Sequence, residues 1–203
     1  MLTRLVPVVL IALLAGCSSA PPPQKAKEPE KPAEPVTGQR ALYYMYPAAR
    51  TWATDVQGLQ LQSINLAGVK SEKGKAGAWQ AIFVTPSHRR SRTYTYSVVE
   101  APGNLHQGVF AGPIEDFSGS NGQARPFPAA ALKIDSDAAF DTALAKSADY
   151  AAKHPGMPIQ FLAEYTPRFP DLAWRVIWGD SVASSEYSVF VDASTGAFLE
   201  KVR

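Results

Sequence analysis

The side chains that could do chemistry are few and scattered along the chain. His88, His106 and His154 are the three histidines, and no two of them stand at a spacing that a turn or a helix would bring to one metal ion. Asp135 with Asp137, and Glu115 with Asp116, are close carboxylate pairs of the kind that general acid–base work requires. The first pair stands where a helix start calls for acidic caps, and the second in a polar stretch that reads as solvated loop. His88-Arg89-Arg90-Ser91-Arg92 concentrates positive charge at a hairpin tip that could meet phosphate, lipid headgroups or an acidic partner, or simply face water. We assign from these residues no catalytic group, no cofactor and no metal ligand set. The single thiol, Cys17, is a different case.

Cys17 closes the stretch Leu14-Ala15-Gly16-Cys17 directly after an apolar run. Residues 1–16 have the three parts of a secretory signal: a basic start at Arg4, an apolar core from Leu5 to Leu14, and small residues at the cut. The run is too short to span a bilayer. The junction resembles the lipobox of bacterial lipoproteins. The resemblance implies that Cys17 is lipidated on sulfur, that the preceding peptide is removed, and that the new amino end is acylated. A thiol so modified is no nucleophile. Each buried methylene contributes about 0.8 kcal/mol, so several acyl chains on one residue hold a protein to the membrane where a single chain holds only marginally. Ser18 stands where, by the same resemblance, an aspartate would retain the protein in a Gram-negative inner membrane. The expected location is therefore an outer-membrane anchor facing the periplasm, or the cell-membrane surface in a bacterium without an outer membrane.

Residues 17–36 read as a stalk. From Ser18 to Val36 there are six prolines, Lys25, Lys27 and Lys31 set against Glu28, Glu30 and Glu34, and no aromatic residue. Such a segment buries too little apolar surface to offset its ordering entropy. In extended polyproline geometry, at about 3.1 Å per residue, it would reach roughly 60 Å. Removal of the signal leaves a formal charge of +1, without the basic footprint of a nucleic-acid binder. With no second cysteine there is no disulfide within the chain, so the body must be held by packing.

The body repeats a pattern. A shift of 95 residues lays Pro47–Trp79 on Thr142–Trp174 without a gap, matching Ala48 with Ala143, Ala53 with Ala148, Ile64 with Ile159 and Trp79 with Trp174. Trp79, Ala81 and Phe83 alternate in register with Trp174, Val176 and Trp178, a strand signature that places the tryptophans in the core. A second strand follows in each copy, Tyr94–Val98 and Tyr187–Val191. Ahead of each strand set the spacing predicts a helix. The first carries Ala41, Tyr44, Met45, Ala48, Ala49, Trp52 and Val56 on one face, with Pro47 either kinking it or setting its start near Tyr46. The second is capped by Ser136, has the stripe Phe140, Leu144, Ala148 and Ala151, and ends at Pro155-Gly156. The resulting expectation is an α+β fold of two helix-plus-antiparallel-sheet repeats, residues 37–112 and 128–203, with helices packed on one face of the sheets and an inter-repeat loop over 113–127. Whether the repeats share one sheet is left open.

Val191-Asp192-Ala193-Ser194-Thr195-Gly196, preceded by Ala173-Trp174-Arg175-Val176, resembles the strand-ending motif of PepSY domains. Asp192, Thr195 and Gly196 serve turn chemistry in this reading: the carboxylate bonds nearby amides and the glycine takes the positive φ. The first copy keeps only the glycine of this motif, in Val99-Glu100-Ala101-Pro102-Gly103. PepSY modules are secreted or membrane-associated, and the resemblance implies a non-catalytic role such as restraining a peptidase. Gly179-Asp180-Ser181 matches the opening motif of one esterase family but lies late in the chain without that family's other blocks. The functional expectation is a membrane-anchored protein- or peptide-binding module. Its partners would be the membrane, through lipid at Cys17, and an envelope protein or peptide, with no nucleic acid. Docking would use an exposed sheet edge or the seam between repeats, and the basic tip His88, Arg89, Arg90 and Arg92 is a candidate contact loop. The alternatives are a hydrolase with an unrecognised site and an envelope-structural lipoprotein.

Overall fold

The computed structural model describes residues 33–119, 125–183 and 185–202. Cys17, the signal segment and most of the expected stalk lie outside them. A short strand β1 (Val36–Thr37) leads into helix α1 (Gly38–Trp52), and then come β2 (Gln57–Ile64), the two-residue β3 (Lys75–Ala76), β4 (Ala78–Thr85), β5 (Arg90–Ser97) and β6 (Gly108–Asp116). The second half runs α2 (Ser136–Lys146), α3 (Ala148–Lys153), β7 (Ile159–Glu164), β8 (Ala173–Trp178), β9 (Tyr187–Asp192) and β10 (Phe198–Val202).

The architecture is α+β. β1 pairs with β3, and the other strands form one antiparallel sheet of eight in the order β10-β9-β8-β7-β2-β4-β5-β6. The two halves thus share a single sheet, joined where β2 meets β7 through the pairs Gln60–Glu164, Leu61–Ala163 and Gln62–Leu162. Gln62 pairs with Leu162, the residue 100 places further on, and this pair marks a local dyad between the halves. Trp79, Phe83, Trp174, Val176, Val189 and Val191 lie on the face covered by α1 and α2, and with Met45, Leu61 and Phe161 they build one core.

Corresponding contacts recur on the two sides, at offsets that vary along the chain. Ser63 pairs with Trp79 and Ala163 with Trp174, so the inner strands correspond at 100 residues and their neighbours at 95. The indole N–H of Trp79 donates to Val36 O at 2.9 Å and that of Trp174 to Ile134 O at 2.8 Å, an offset of 98 ahead of the helices. The helices keep that offset. α1 buries Gly38, Ala41, Leu42, Met45 and Ala49, whereas α2 buries Ser136, Ala139 and Ala143 and the chain then buries Ser147. The 95-residue shift is therefore correct for β4 with β8, and by pairing register for β5 with β9, but not for β2 with β7 or for the helices. Ile64 ends β2 whereas Ile159 begins β7, and the Ala48–Ala143 and Ala53–Ala148 identities join non-equivalent places. Connections of unequal length cannot be carried by one shift.

The helix expectations change for the same reason. α1 begins at Gly38 and carries Pro47 on its exposed side, where the missing N–H costs no core contact. Tyr44 and Ala48, expected inside, are exposed, because Leu42 and Met45 set the buried stripe. In the second half Asp135, and not Ser136, is the N-cap, accepting from Ser136 N at 2.7 Å. The buried stripe there is shifted one place from the expected one: Phe140 and Leu144 are half-buried and Ala148 is exposed. The expected loop over 113–127 is also corrected: Gly112 and Pro113 lie inside β6, which continues to Asp116.

The two helix starts meet at the dyad. Thr37 makes no side-chain cap for α1. Its first amides are instead satisfied from the other half: Gly38 N donates to Ser136 Oγ at 2.8 Å and Gln39 N to Asp135 Oδ1 at 2.8 Å. A Cβ at residue 38 would lie 2.7 Å from Trp174 Cη2 and 3.0 Å from Trp79 Cη2, so only glycine lets this junction close over both indoles.

Candidate functional site

The strand-ending motif folds into a tight turn. Asp192 Oδ1 accepts from Ser194 N, Ser194 Oγ and Thr195 N, each at 2.8 Å. Gly196 takes φ +76 and donates its N–H to Asp192 O at 2.9 Å. Burial pushes the Asp192 carboxyl up, but the hydrogen bonds from Ser194 and Thr195 outweigh it and the net shift is downward. Thr195 Oγ1 accepts from Ala197 N at 3.3 Å. The motif's side chains bond within the turn, while Ala193 O accepts from Lys133 N and Ile134 N and Gly196 O from Thr142 Oγ1, which ties the turn to the start of α2.

At the β4–β5 tip Asp55 lies against the hairpin. Thr85 Oγ1 donates to Asp55 Oδ1 at 2.6 Å and Ser87 N to Asp55 Oδ2 at 3.0 Å, and these bonds hold the carboxyl at about 2. His88 Nδ1 is 3.1 Å from Thr85 Oγ1 and 3.0 Å from Ser87 Oγ. This is not the arrangement of a nucleophilic triad, which sets hydroxyl and carboxylate on opposite ring nitrogens. Here both hydroxyls meet the same nitrogen and the carboxylate binds Thr85. Of the basic cluster, Arg90 pairs with Asp116, and Arg92 Nε donates to Gly112 O at 2.8 Å with its guanidinium over the Tyr94 ring. Those two arginines tie β5 to β6, and Arg89 takes φ 51 at the turn.

The remaining histidines stay apart. His106 Nδ1 lies 2.8 Å from Glu100 Oε1, and the His154 ring packs tilted against Tyr150 at 4.3 Å. Among the described residues no three His, Cys, Asp or Glu side chains gather in a set that could hold a metal ion. Asp180, in the esterase-like tripeptide, uses its carbonyl to accept from the Gln160 amide. No helix among the described residues is long and apolar enough to cross a membrane.

Both outer strands of the sheet are irregular. In β6 Gly112 and Pro113 bulge opposite Thr93, and proline has no N–H to offer a further strand. In β10 the register shifts between Phe198 and Glu200. Bulges, proline and charge are the devices by which sheets discourage edge pairing. Of the two docking places expected from sequence, the edges are therefore the poorer.

The seam holds a groove of about 400 Å³, within the range of small-ligand pockets. One wall is the connection between β2 and β4. Its turn has Lys73 at φ 46 and Gly74 at φ +80, closed by reciprocal hydrogen bonds between Glu72 and Lys75 at 3.0 and 2.9 Å. Gly74 is required here because a Cβ would fall 2.3 Å from Asp137 Cα, and its carbonyl accepts from Ser136 Oγ at 2.6 Å. The wall is thus fastened to the start of α2. The other wall is Phe140 with the run from Gly156 to Phe161, and the base is apolar: Val69, Met157, Ile159 and Phe161. Lys70, Glu72, Lys73 and Asp180 stand around it with balanced charge. The sequence points to the seam but presents Phe140, Gly156, Ile159 and Asp180 only in other roles, because the groove joins segments about 90 residues apart and belongs to no motif.

No protein-family model matches the chain, and no curated protein matches it. Among solved structures, a candidate lipoprotein from Clostridium difficile 630 is similar at 9% identity with a TM-score of 0.45, over 77% of this chain and 88% of that one. A likeness of that size carries no argument about what this chain does.

Proposed function

We propose that this chain is a lipid-anchored, non-catalytic binding module of the bacterial envelope, built from two diverged PepSY-like copies, which captures a protein or peptide in the groove between its halves. The observation that carries the reading is the groove itself: it is apolar at its base, charge-balanced at its mouth and assembled from both halves, while the edges of the sheet are blunted. The anchor rests on Leu14-Ala15-Gly16-Cys17, and Ser18 directs it to the outer membrane with the body facing the periplasm. The PepSY-like identity rests on the Asp192–Gly196 motif and on the matching Trp79 and Trp174 contacts of the two halves. Restraint of a peptidase, by occupying it or by holding its substrate, is the role this assignment favours.

Two experiments test it. A photo-crosslinking amino acid at Asn65 or Lys73, in cells making the lipidated chain, is expected to capture one envelope protein, and the same probe at exposed Thr54 is expected to capture none. Equal capture from all three positions, or none from the groove, refutes the binding role. Mass analysis of the mature amino end should show acylated Cys17, and a free thiol refutes the anchor.

A further inference from the structure

Large apolar side chains left in water gather on one side of the first half. Among the described residues the exposed ones are Tyr43, Tyr44, Val109, Phe110, Ile114 and Phe198, and four of these six share the side of the sheet that α1 covers. Tyr43 and Tyr44 stand on α1 itself. Val109 pairs with Tyr96, whose ring stacks on Tyr44 at 4.8 Å, and Ile114 pairs with Arg92, on the same face of β5 as buried Tyr94. Tyr43 is the most exposed of them, at 77%. Three- and four-residue spacing sets Arg40, Tyr43, Pro47, Ala48 and Arg50 along the outward line of α1, and the helix has no acidic residue. Glu34, ahead of the helix, is the carboxylate whose charge reaches Arg40, and Asp116 on β6 is paired with Arg90.

The fold does not require this surface. At the helix offset of 98, α2 carries exposed Asp141 where α1 has Tyr43, and the chain has exposed Asp149 where α1 has Thr51. Outward tyrosine and arginine without carboxylates suit the headgroup layer of a bilayer, where the ring lies at the interface and the guanidinium meets lipid phosphate. The chain itself brings this face to a membrane: α1 is the first helix after the stalk and is entered through β1. A tether of roughly 60 Å holds the face at an effective concentration on the order of millimolar, at which a weak contact suffices. We propose that the face formed by α1 and β6 docks on the anionic bilayer surface to which the chain is anchored, with Tyr43 and Ile114 at headgroup level and Arg40 and Arg50 toward lipid phosphate. The proposal rests on the anchor read at Cys17 and goes beyond the binding role. Four strand positions separate β4 and β5, under α1, from β8 and β9, under α2. At about 20–25° of twist per strand, the two helix surfaces face about 80–100° apart, so the acids of α2 do not meet the same plane. None of the docking residues lines the seam groove.

The test uses the chain from Ser18, which keeps the whole compact unit Pro32–Arg203 and has no cysteine. An amino-terminal histidine tag on nickel-chelating lipid stands in for the acyl chains, so the outcome does not depend on Cys17. The vesicles are phosphatidylethanolamine with phosphatidylglycerol. A nitrobenzoxadiazole label is attached at Ala48→Cys, on the outward line of α1, or at Ala145→Cys, exposed on α2. The label at 48 is expected to brighten, shift to the blue and be quenched by doxyl lipid, and the label at 145 to do none of these. Tyr43→Asp with Ile114→Asp, at two exposed positions, is expected to lower the partition of the label into the bilayer by about tenfold or more. Two apolar side chains are withdrawn and two negative charges are set against an anionic surface. An aspartate already occupies the position in α2 that matches Tyr43, and an unchanged urea transition confirms that the variant folds. No response at 48, an equal response at 145, or a response that survives the double substitution overturns the proposal. So does a label at 48 that is silent on vesicles and responds to an envelope protein extract, which would make the face a protein contact. Acylated Cys17 in the mature protein, with any of these results, keeps the anchor and removes only the docking face.

Discussion

Ser136→Ala should uncouple the two halves at the point where their helices start. The Ser136 hydroxyl is fully buried, accepting from Gly38 N at 2.8 Å and donating to Gly74 O at 2.6 Å. Alanine leaves both backbone groups without that partner, and an unsatisfied buried polar group costs about 1–3 kcal/mol. The better helix propensity of alanine returns only about 0.5 kcal/mol. The expected net loss is about 2–4 kcal/mol, a large part of the roughly 5–15 kcal/mol that holds a domain of this size. Urea unfolding followed by tryptophan fluorescence reads it directly, because Trp79, Trp174 and Trp178 are all buried. A single transition is expected in both proteins, since one sheet and one core run through both halves. Ser71→Ala, which removes only the exposed bond to Asn65, should change stability by less than about 0.5 kcal/mol. If Ser136→Ala costs no more than that control, the hydroxyl does not join the halves and the reasoning from burial fails.

Phe127→Ala should cost about 3–5 kcal/mol in the same assay, with the cavity staying beside Gly58, and a loss under about 1 kcal/mol would mean the ring is not part of the core. Gly196→Ala forces an L-residue into φ +76 and should cost about 1–2 kcal/mol, whereas a neutral result would show that the turn relaxes without loss. Asp55 has a folded-state value of about 2 against an ordinary 3.8, because Thr85 and Ser87 bond its charged form. Its contribution is therefore full above about pH 4 and lost as pH falls toward 2, and Asp55→Asn should flatten that part of the stability profile. An unchanged acid limb in Asp55→Asn would refute the assignment.

The parts of the fold that were legible in the sequence are those with a local cause. Trp79-Gln80-Ala81-Ile82-Phe83 and Trp174-Arg175-Val176-Ile177-Trp178 alternate because each strand has one face toward the helices, so their strand character and their offset of 95 could be read directly. Three- and four-residue spacing alone takes exposed Tyr44, Ala48 and Ala148 into the helix stripes, because the small residues of these helices fit more than one face at that spacing. Leu42 with Phe140 is the better anchor, and neither position is identical. β2 and β7 were offset by five residues because the β2–β4 connection is longer than the β7–β8 connection, and an ungapped match has no place for the difference. The joining of both halves into one sheet depends on Gln60–Glu164 and its neighbours, where Gln60 Nε2 donates to Glu164 Oε2 at 2.9 Å. Polar residues in alternation do not announce a central pairing.

The same comparison explains why the groove, and not the motif, is the place to look for function. Positions that serve both halves alike are held by the shared core: the indole-to-carbonyl bonds of Trp79 and Trp174 and the crossed caps of Gly38 and Gln39 can change only at a cost to the whole sheet. The positions where the halves differ are free of that constraint and lie together. The longer connection that supplies Leu66 and Val69, and Pro158 with Ile159 where the other half has Gln57 with Gly58, bear on one volume.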